Sequence, residues 1–116
     1  DLSNALLKKE KKKAMQLYTD LKKIKTEPIQ LIALLAKQFR FLLQVKILKN
    51  ERYSNEQIAN ELNAHPYRIK VALENCRQFT FKEIKDKLVK LADLDSSIKK
   101  GIKDRYVDFE IFLMAD

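Results

Sequence analysis

The stretch PIQLIALLAKQFRFLLQVKILKN, residues 28–50, decides the fold. Fourteen of the twenty residues at positions 29–48 are apolar, and at about 100° per residue they cover most of the circumference of a helix. Thr26 or Glu27 can cap its start, and Pro28 suits the first helical position, where no N–H is needed. The polar stripe is narrow and consists of Gln30, Lys37, Arg40 and Gln44. The stretch is therefore predicted to be a buried helix around which the other elements pack.

The composition favours an all-α fold in one domain spanning residues 1–116. One glycine and two prolines supply little of the punctuation that strands and hairpins need. The single cysteine excludes an internal disulfide, and one cysteine plus one histidine cannot form a four-ligand zinc site. No uninterrupted apolar run reaches the ~18 residues of a membrane span. We expect a soluble, cytoplasmic protein.

The net charge of +8 allows two interpretations. It suits an anionic partner such as nucleic acid, but lysine-rich helices also form ordinary solvated faces. The sequence opens at Asp1 rather than at a methionine, and its first residues already have a helical pattern. This opening suggests a fragment of a longer protein.

Helix boundaries can be placed along the rest of the chain. The apolar stripe of residues 1–25 changes phase near Glu10, which favours two helices over one, with the basic run of residues 8–13 at the joint facing either solvent or a phosphate backbone. Asn63 suits a left-handed turn and Gly101 suits a helix end. Further helix starts are marked by two capping boxes, a proline and an aspartate, namely Ser54 with Gln57, Thr80 with Glu83, Pro66 and Asp104.

Catalytic chemistry is not expected from this sequence. One glycine cannot build a phosphate-binding loop, so the domain should not bind ATP. Cys76 lies on the apolar face of its predicted helix and far from His65, which favours a buried structural thiol over a nucleophile. Asp93 and Asp95 are two residues apart and point to different sides of one helix. We expect a non-enzymatic domain with no cofactor and no metal.

Residues 54–79 give an alternative function. Two short helices joined by a tight turn are typical of a helix-turn-helix DNA-binding domain. The second helix would then offer the major groove Tyr67, Arg68, Lys70 and Asn75. Glu74 lies on the same exposed side, which opposes this reading.

Asp95 interrupts the apolar stripe of the helix that follows Thr80. A buried, unpaired carboxylate would cost several kcal/mol, so a cationic partner is predicted. Arg40 is the preferred partner because its guanidinium matches a carboxylate with two parallel hydrogen bonds. In the alternative, Asp95 lies at the edge of the stripe and reaches water or Lys99.

The last predicted helix, which follows Asp104, is too apolar to have one side fully exposed to solvent. Its large side chains cannot all enter one small core, and aromatic and methionine side chains are enriched at interface centres. We therefore predict a subunit interface formed by Tyr106, Phe109, Phe112 and Met114.

Four runs of the sequence resemble a known family. They are DLSNALL at 1–7, LLAKQFRFLLQVK at 34–46, HPYRIK at 65–70 and LADLDSSIKKG at 91–101. In this order they are similar to the C-terminal domain of the delta subunit of the bacterial DNA polymerase III clamp loader, and the resemblance covers the whole chain. The family often has a glycine between its first two helices, where this chain has Lys9, Glu10 and Lys11.

The resemblance implies a compact bundle of five to six helices that acts as a collar. Such a domain joins the other loader subunits, of gamma/tau and delta-prime type, in a pentameric ring. It further implies two preceding AAA+-type domains, absent from this sequence, the first of which contacts the sliding clamp. The family's delta subunit opens the clamp during DNA replication without hydrolysing ATP.

A DNA contact is the last expectation. In a collar ring, primed DNA would pass near the inner ends of the helices, and its contact with this domain is expected to be weak or indirect. The densest basic and aromatic cluster at a helix joint surrounds Gly101 and consists of Lys99, Lys100, Lys103, Arg105 and Tyr106. Lysines attract phosphates and an aromatic ring stacks on bases, while the alternative is a solvated turn whose lysines favour the helix dipole.

Overall fold

The structure, a computed structural model, describes residues 1–101 and 104–115. That part of the chain contains seven helices and no strand. The all-α prediction is confirmed, but the expected count of five to six helices is wrong. The N-terminal 23 residues form two helices and residues 55–76 form two more, which brings the total in this part of the chain to seven. The helices are α1 (Leu2–Leu7), α2 (Lys11–Lys23), α3 (Pro28–Asn50), α4 (Asn55–Glu61), α5 (Pro66–Cys76), α6 (Phe81–Lys99) and α7 (Arg105–Met114).

The predicted break between α1 and α2 is confirmed, and Lys9 makes it. Its backbone has a φ of 57°, a left-handed conformation that glycine adopts more easily. Its ammonium lies 2.9 Å from Oε2 of Glu83 and 4.9 Å from the ring centroid of Phe79. The hydrogen bond from Lys9 lowers the pKa of Glu83 to about 2. A lysine can occupy this position because its side chain gains contacts with α6 and the core that a glycine could not make.

The central helix is α3, with the predicted bounds. It packs against α1, α4, α5, α6 and α7, and its inner residues are buried, including Leu35, Phe39, Leu42 and Val45. The predicted polar stripe is exposed along its whole length. Glu27 precedes the helix in an extended conformation and makes no capping hydrogen bond through its side chain, so Pro28 marks the start.

Edge-to-face aromatic contacts lie within the core. Phe39 meets Phe79 edge-to-face at 5.6 Å between ring centroids, and Tyr18 of α2 meets Phe109 of α7 at 5.1 Å. Such pairs contribute about 0.5–1.5 kcal/mol beyond the area they bury. The Tyr18 hydroxyl has no hydrogen-bond partner in the described part of the chain, and burial raises the pKa of Tyr18 to about 12.

Local sequence signals set the remaining boundaries as predicted. Both capping boxes are formed, at the starts of α4 and α6. Asn63 has a φ of 50° and Gly101 a φ of 69°, which are the left-handed conformations expected at these turns. Asp104 caps α7 by accepting from the backbone N–H groups of Tyr106 and Val107, each at 2.9 Å.

Candidate interaction surfaces

The inner face of α7 belongs to the core. Phe109, Phe112 and Leu113 are all buried, at the i, i+3, i+4 spacing of one helix face. Phe109 packs on Tyr18, and the rings of Phe109 and Phe112 stack at 6.2 Å. Two of the four predicted interface residues, Phe109 and Phe112, are therefore covered by this domain itself.

The opposite side of α7 is also apolar, and we call it the outer α7 face. It consists of Val107, Ile111 and Met114, which are 51%, 61% and 56% exposed. Met114 was predicted here, whereas Val107 and Ile111 were missed, although their i, i+4, i+7 spacing with Met114 could have identified them. Met15 of α2 is half-buried and lies beside Met114 in a shallow depression. The apolar surface thus continues from α7 onto α2.

The structure brings together only part of the predicted basic cluster around Gly101. Nε of Arg105 lies 2.9 Å from Oε2 of Glu27, and this hydrogen bond raises the pKa of Arg105. The ring of Tyr106 has the Arg105 guanidinium at 4.7 Å and the Lys22 ammonium at 5.1 Å from its centroid. Tyr106 is therefore flanked by cations of its own chain, which limits base stacking on it.

The other members of that cluster differ in their surroundings. Lys99 pairs with Asp95, Lys100 is exposed, and Lys103 lies outside the described residues. The cluster thus contains cations that already have carboxylate partners as well as one that extends into solvent.

Asp95 has a partner other than the predicted Arg40. Nζ of Lys99, one turn further along α6, lies 3.0 Å from Oδ2 of Asp95. No ion pair joins Asp95 to Arg40 among the described residues, and Arg40 is exposed on the outer stripe of α3. The Asp95 side chain is 32% exposed, so it lies at the edge of the apolar stripe and needs no buried guanidinium.

The α4–α5 pair lacks a free recognition helix. Asn75, which the helix-turn-helix reading assigns to base contacts, is buried. The Arg68 guanidinium lies 3.7 Å from the ring centroid of Phe41 on α3 and is held against the bundle. Tyr67 and Lys70 are exposed. The pair is therefore a corner of the bundle, packed on α3, rather than a projecting reader.

Cys76 and His65, the two side chains weighed for catalysis, both have structural roles in the bundle. Cys76 is buried with its Sγ 3.8 Å from the Leu42 carbonyl oxygen, and burial raises its pKa, which disfavours the thiolate. Nδ1 of His65 accepts a hydrogen bond from the N–H of Tyr67 at 3.0 Å and caps α5. Within residues 1–101 and 104–115, no group of three or more histidine, cysteine or acidic side chains is placed to hold a metal ion.

None of the helices in the described part of the chain combines the length and apolarity of a membrane span.

These features define the class as a helical-bundle domain whose distinctive surfaces are one apolar helix face and several basic areas. The chain belongs to the family described as DNA polymerase III delta subunit, C-terminal domain, which matches residues 1–115. The resemblance found in the sequence is thereby confirmed.

One curated relative and one solved structure give the same assignment. DNA polymerase III subunit delta of Bacillus subtilis (strain 168) is 35% identical over 114 residues, which cover 98% of this chain and 33% of the relative. The solved Bacillus subtilis DNA clamp loader delta protein (YqeN) superposes with a TM-score of 0.87 at 35% identity, covering 97% of this chain and 33% of that one. The chain thus spans about a third of the length of the relatives it matches.

Proposed function

We propose that this domain is the collar of a clamp-loader delta subunit, the part that joins delta to its neighbours in the loader. The proposal is supported by membership of the delta C-terminal family and by the similarity to a solved clamp loader delta protein. The neighbours would be subunits of gamma/tau and delta-prime type. In the whole protein, AAA+-type domains outside this sequence would contact the sliding clamp, and the assembly would load the clamp onto primed DNA in the cytoplasm.

The exposure of the outer α7 face is the observation that best supports a role in joining subunits. Three large apolar side chains at successive turns of one helix remain exposed although the inner face of α7 is fully packed. Exposed apolar patches on small domains commonly mark protein–protein contacts, and methionine is enriched at the centres of such contacts. The proposed contact is therefore Val107, Ile111 and Met114, with Met15 at its margin, in place of the aromatic set predicted from the sequence.

A contact with primed DNA near Gly101 remains a prediction of this function. Arg105 and Lys99 already have carboxylate partners on their own chain, and exchanging these for phosphates would gain little. This arrangement supports a weak or indirect contact, with Lys100 as the freest cation among the described members of the cluster.

The joining role is tested with the double substitution Ile111→Glu and Met114→Glu. Because both positions are exposed, we expect each replacement to change the free energy of unfolding of this chain by about 0.5 kcal/mol or less. In the complete delta subunit, mixed with its partner subunits, we expect the assembled complex to disappear from size-exclusion profiles at concentrations where the unsubstituted loader is intact.

Val89→Glu is the matched control, since Val89 is 59% exposed on α6 and lies outside the outer α7 face. It should leave assembly unchanged. Normal assembly of the α7 variant, or equal loss in both variants, would contradict the assignment of this face to subunit joining.

A further inference from the structure

An open groove of about 670 Å³ lies where the C-terminal end of α3 meets α4, α5 and the start of α6. The charges around it are strongly one-sided, with four cationic side chains and one carboxylate. The lining residues that matter are Lys46 and Lys49 of α3, Lys70 and Glu74 of α5, Arg77 directly after α5, and Phe81 of α6. Of these cations, the helix-turn-helix interpretation of the sequence named Lys70 alone.

The groove cations lie close together without the carboxylate partners that several other cations of the molecule have. Four cations elsewhere meet carboxylates, in the pairs Lys9–Glu83, Lys22–Glu110, Lys99–Asp95 and Arg105–Glu27. In the groove, Lys46 and Lys49 donate only to neutral oxygens, the Cys76 carbonyl at 3.4 Å and the Asn55 side chain at 3.0 Å. No groove cation forms an ion pair with any residue that the structure describes. Their positive potential is therefore available to an external anion.

The cations are arranged in two rows. Lys70 of α5 and Arg77, the C-cap residue directly after α5, are seven residues apart, which places them about two turns or 10 Å apart along one side of the helix. Lys46 and Lys49, one turn apart on α3, contribute the second row. Charges distributed along a groove match a chain of phosphates better than a single phosphate, because each row can follow successive anionic groups.

Aromatic side chains accompany these rows. Phe81 lines the groove with the Lys46 ammonium 5.1 Å from its ring centroid, and exposed Tyr67 lies one turn before Lys70 on α5. The Lys46 ammonium limits stacking on Phe81, whereas an unpaired base can stack on the exposed ring of Tyr67 without sequence preference. A duplex fits less well, because the major groove is read by a projecting helix, whereas α5 has Asn75 buried and forms a wall of a concave surface.

We propose that this groove binds single-stranded nucleic acid, with Lys46, Lys49, Lys70 and Arg77 on the phosphates and Tyr67 stacking on a base. The site is separate from the outer α7 face and from the turn at Gly101. It goes beyond the joining role proposed above and does not depend on it, because binding is measured on this chain alone.

The test measures the fluorescence anisotropy of a labelled oligothymidylate of about 20 nucleotides, titrated with this chain at several salt concentrations. The groove variant carries Lys70→Glu and Arg77→Glu, two exposed positions whose side chains make no ion pair in the described structure. We expect its affinity to fall by about tenfold or more. The slope of log affinity against log salt should fall by about 1.4, since each phosphate contact on a single strand contributes ~0.7.

The matched control carries Lys37→Glu and Arg40→Glu, which make the same charge change at exposed positions on the outer stripe of α3. Its affinity should stay within about twofold of the unsubstituted chain. A third variant, Tyr67→Ala, should weaken binding several-fold with an unchanged salt slope, because stacking involves no phosphate. Far-ultraviolet circular dichroism checks that all three variants remain helical.

Four outcomes would overturn the proposal. They are an absence of oligonucleotide binding by the unsubstituted chain, equal losses in the groove and control variants, tighter binding of a duplex than of the single strand, and displacement of the oligonucleotide by polyglutamate of equal charge at equal concentration. The third outcome would favour a duplex reader and the fourth would make the groove a site for an acidic protein segment.

Discussion

The helices α3 and α7 are both rich in apolar residues, yet the solvent-exposed side of α3 carries a polar stripe and that of α7 is largely apolar. Each has a fully buried inner side, represented by Phe39 in α3 and Phe109 in α7. The outer side of α3 contains the exposed polar stripe that includes Arg40, whereas the outer side of α7 exposes Ile111 and its neighbours. The exposed large apolar side chains of the central helix, Leu34 and Ile47, lie thirteen residues apart, whereas those of the last helix lie together and leave an apolar face uncovered.

This difference shows that apolar content alone does not identify interface residues. The largest apolar side chains of α7, its two phenylalanines, fill the domain's own core, and the smaller Val107 and Ile111 remain outside. Because a large aromatic ring buries more apolar area than an aliphatic side chain, placing the phenylalanines in the core is the more favourable arrangement. The apolar residues that the core leaves exposed are the ones proposed above to meet a partner subunit.

The largest expected effect tests whether the two inner sides are equivalent. Phe39→Ala and Phe109→Ala should each lower the free energy of unfolding by about 3–5 kcal/mol, because both rings are buried in contact with other aromatic rings. Arg40→Ala and Ile111→Ala, at exposed positions of the same helices, should each change it by about 0.5 kcal/mol or less. The measurement is urea denaturation followed by circular dichroism. A loss below about 1 kcal/mol for Phe109→Ala would mean that α7 is docked loosely, unlike α3.

A smaller effect of opposite sign is expected where α2 meets α7. Tyr18→Phe keeps the edge-to-face contact with Phe109 and removes a buried hydroxyl that has no partner among the described residues. The free energy of unfolding should rise by about 1 kcal/mol, since burying an unsatisfied hydroxyl is unfavourable. Tyr67→Phe is the control at an exposed position and should have almost no effect. A loss of stability in Tyr18→Phe would instead indicate that the hydroxyl is hydrogen-bonded, for example to a buried water.

The smallest expected effect concerns the residues that precede α7 and α3, because Asp104 caps its helix through its side chain and Glu27 does not. Two backbone hydrogen bonds to the Asp104 carboxylate, the one from Val107 foremost, lower its pKa, whereas Glu27 makes no side-chain cap for α3. Because the folded pKa is below the unfolded one, the charged cap stabilises α7 fully above the usual aspartate range. This stabilisation is lost as pH falls from about 4 towards the lowered value.

Asp104→Asn tests this dependence, since asparagine caps as well as aspartate but does not titrate. Thermal midpoints of both proteins, compared between about pH 6 and about pH 3, should converge as the pH falls. A constant difference across this range would show that Asp104 contributes nothing through its charge.

Features that depend on neighbouring residues were predicted with the greatest success. Capping boxes, prolines and left-handed residues set the helix boundaries, because each acts within a few residues of backbone. The break at Lys9 was placed correctly, but the contacts of its side chain with Glu83 and Phe79 join residues about seventy positions apart and were not foreseen. The prediction that Asp95 pairs with Arg40 also depended on contacts between distant residues. Whether Asp95 meets Arg40 or Lys99 is set by how α6 is rotated against α3.

The sequence by itself determined that the chain is all-helical, where α3 begins and ends, and which family it belongs to, because periodicity, capping and order of motifs are properties of the chain. Only the tertiary structure decided which side of α7 faces outward and which cations lack carboxylate partners. Both depend on how helices distant in sequence are oriented, and that orientation is set by the packing of the whole core. The groove between α3, α5 and α6 exists only after that packing has brought its two rows of cations together.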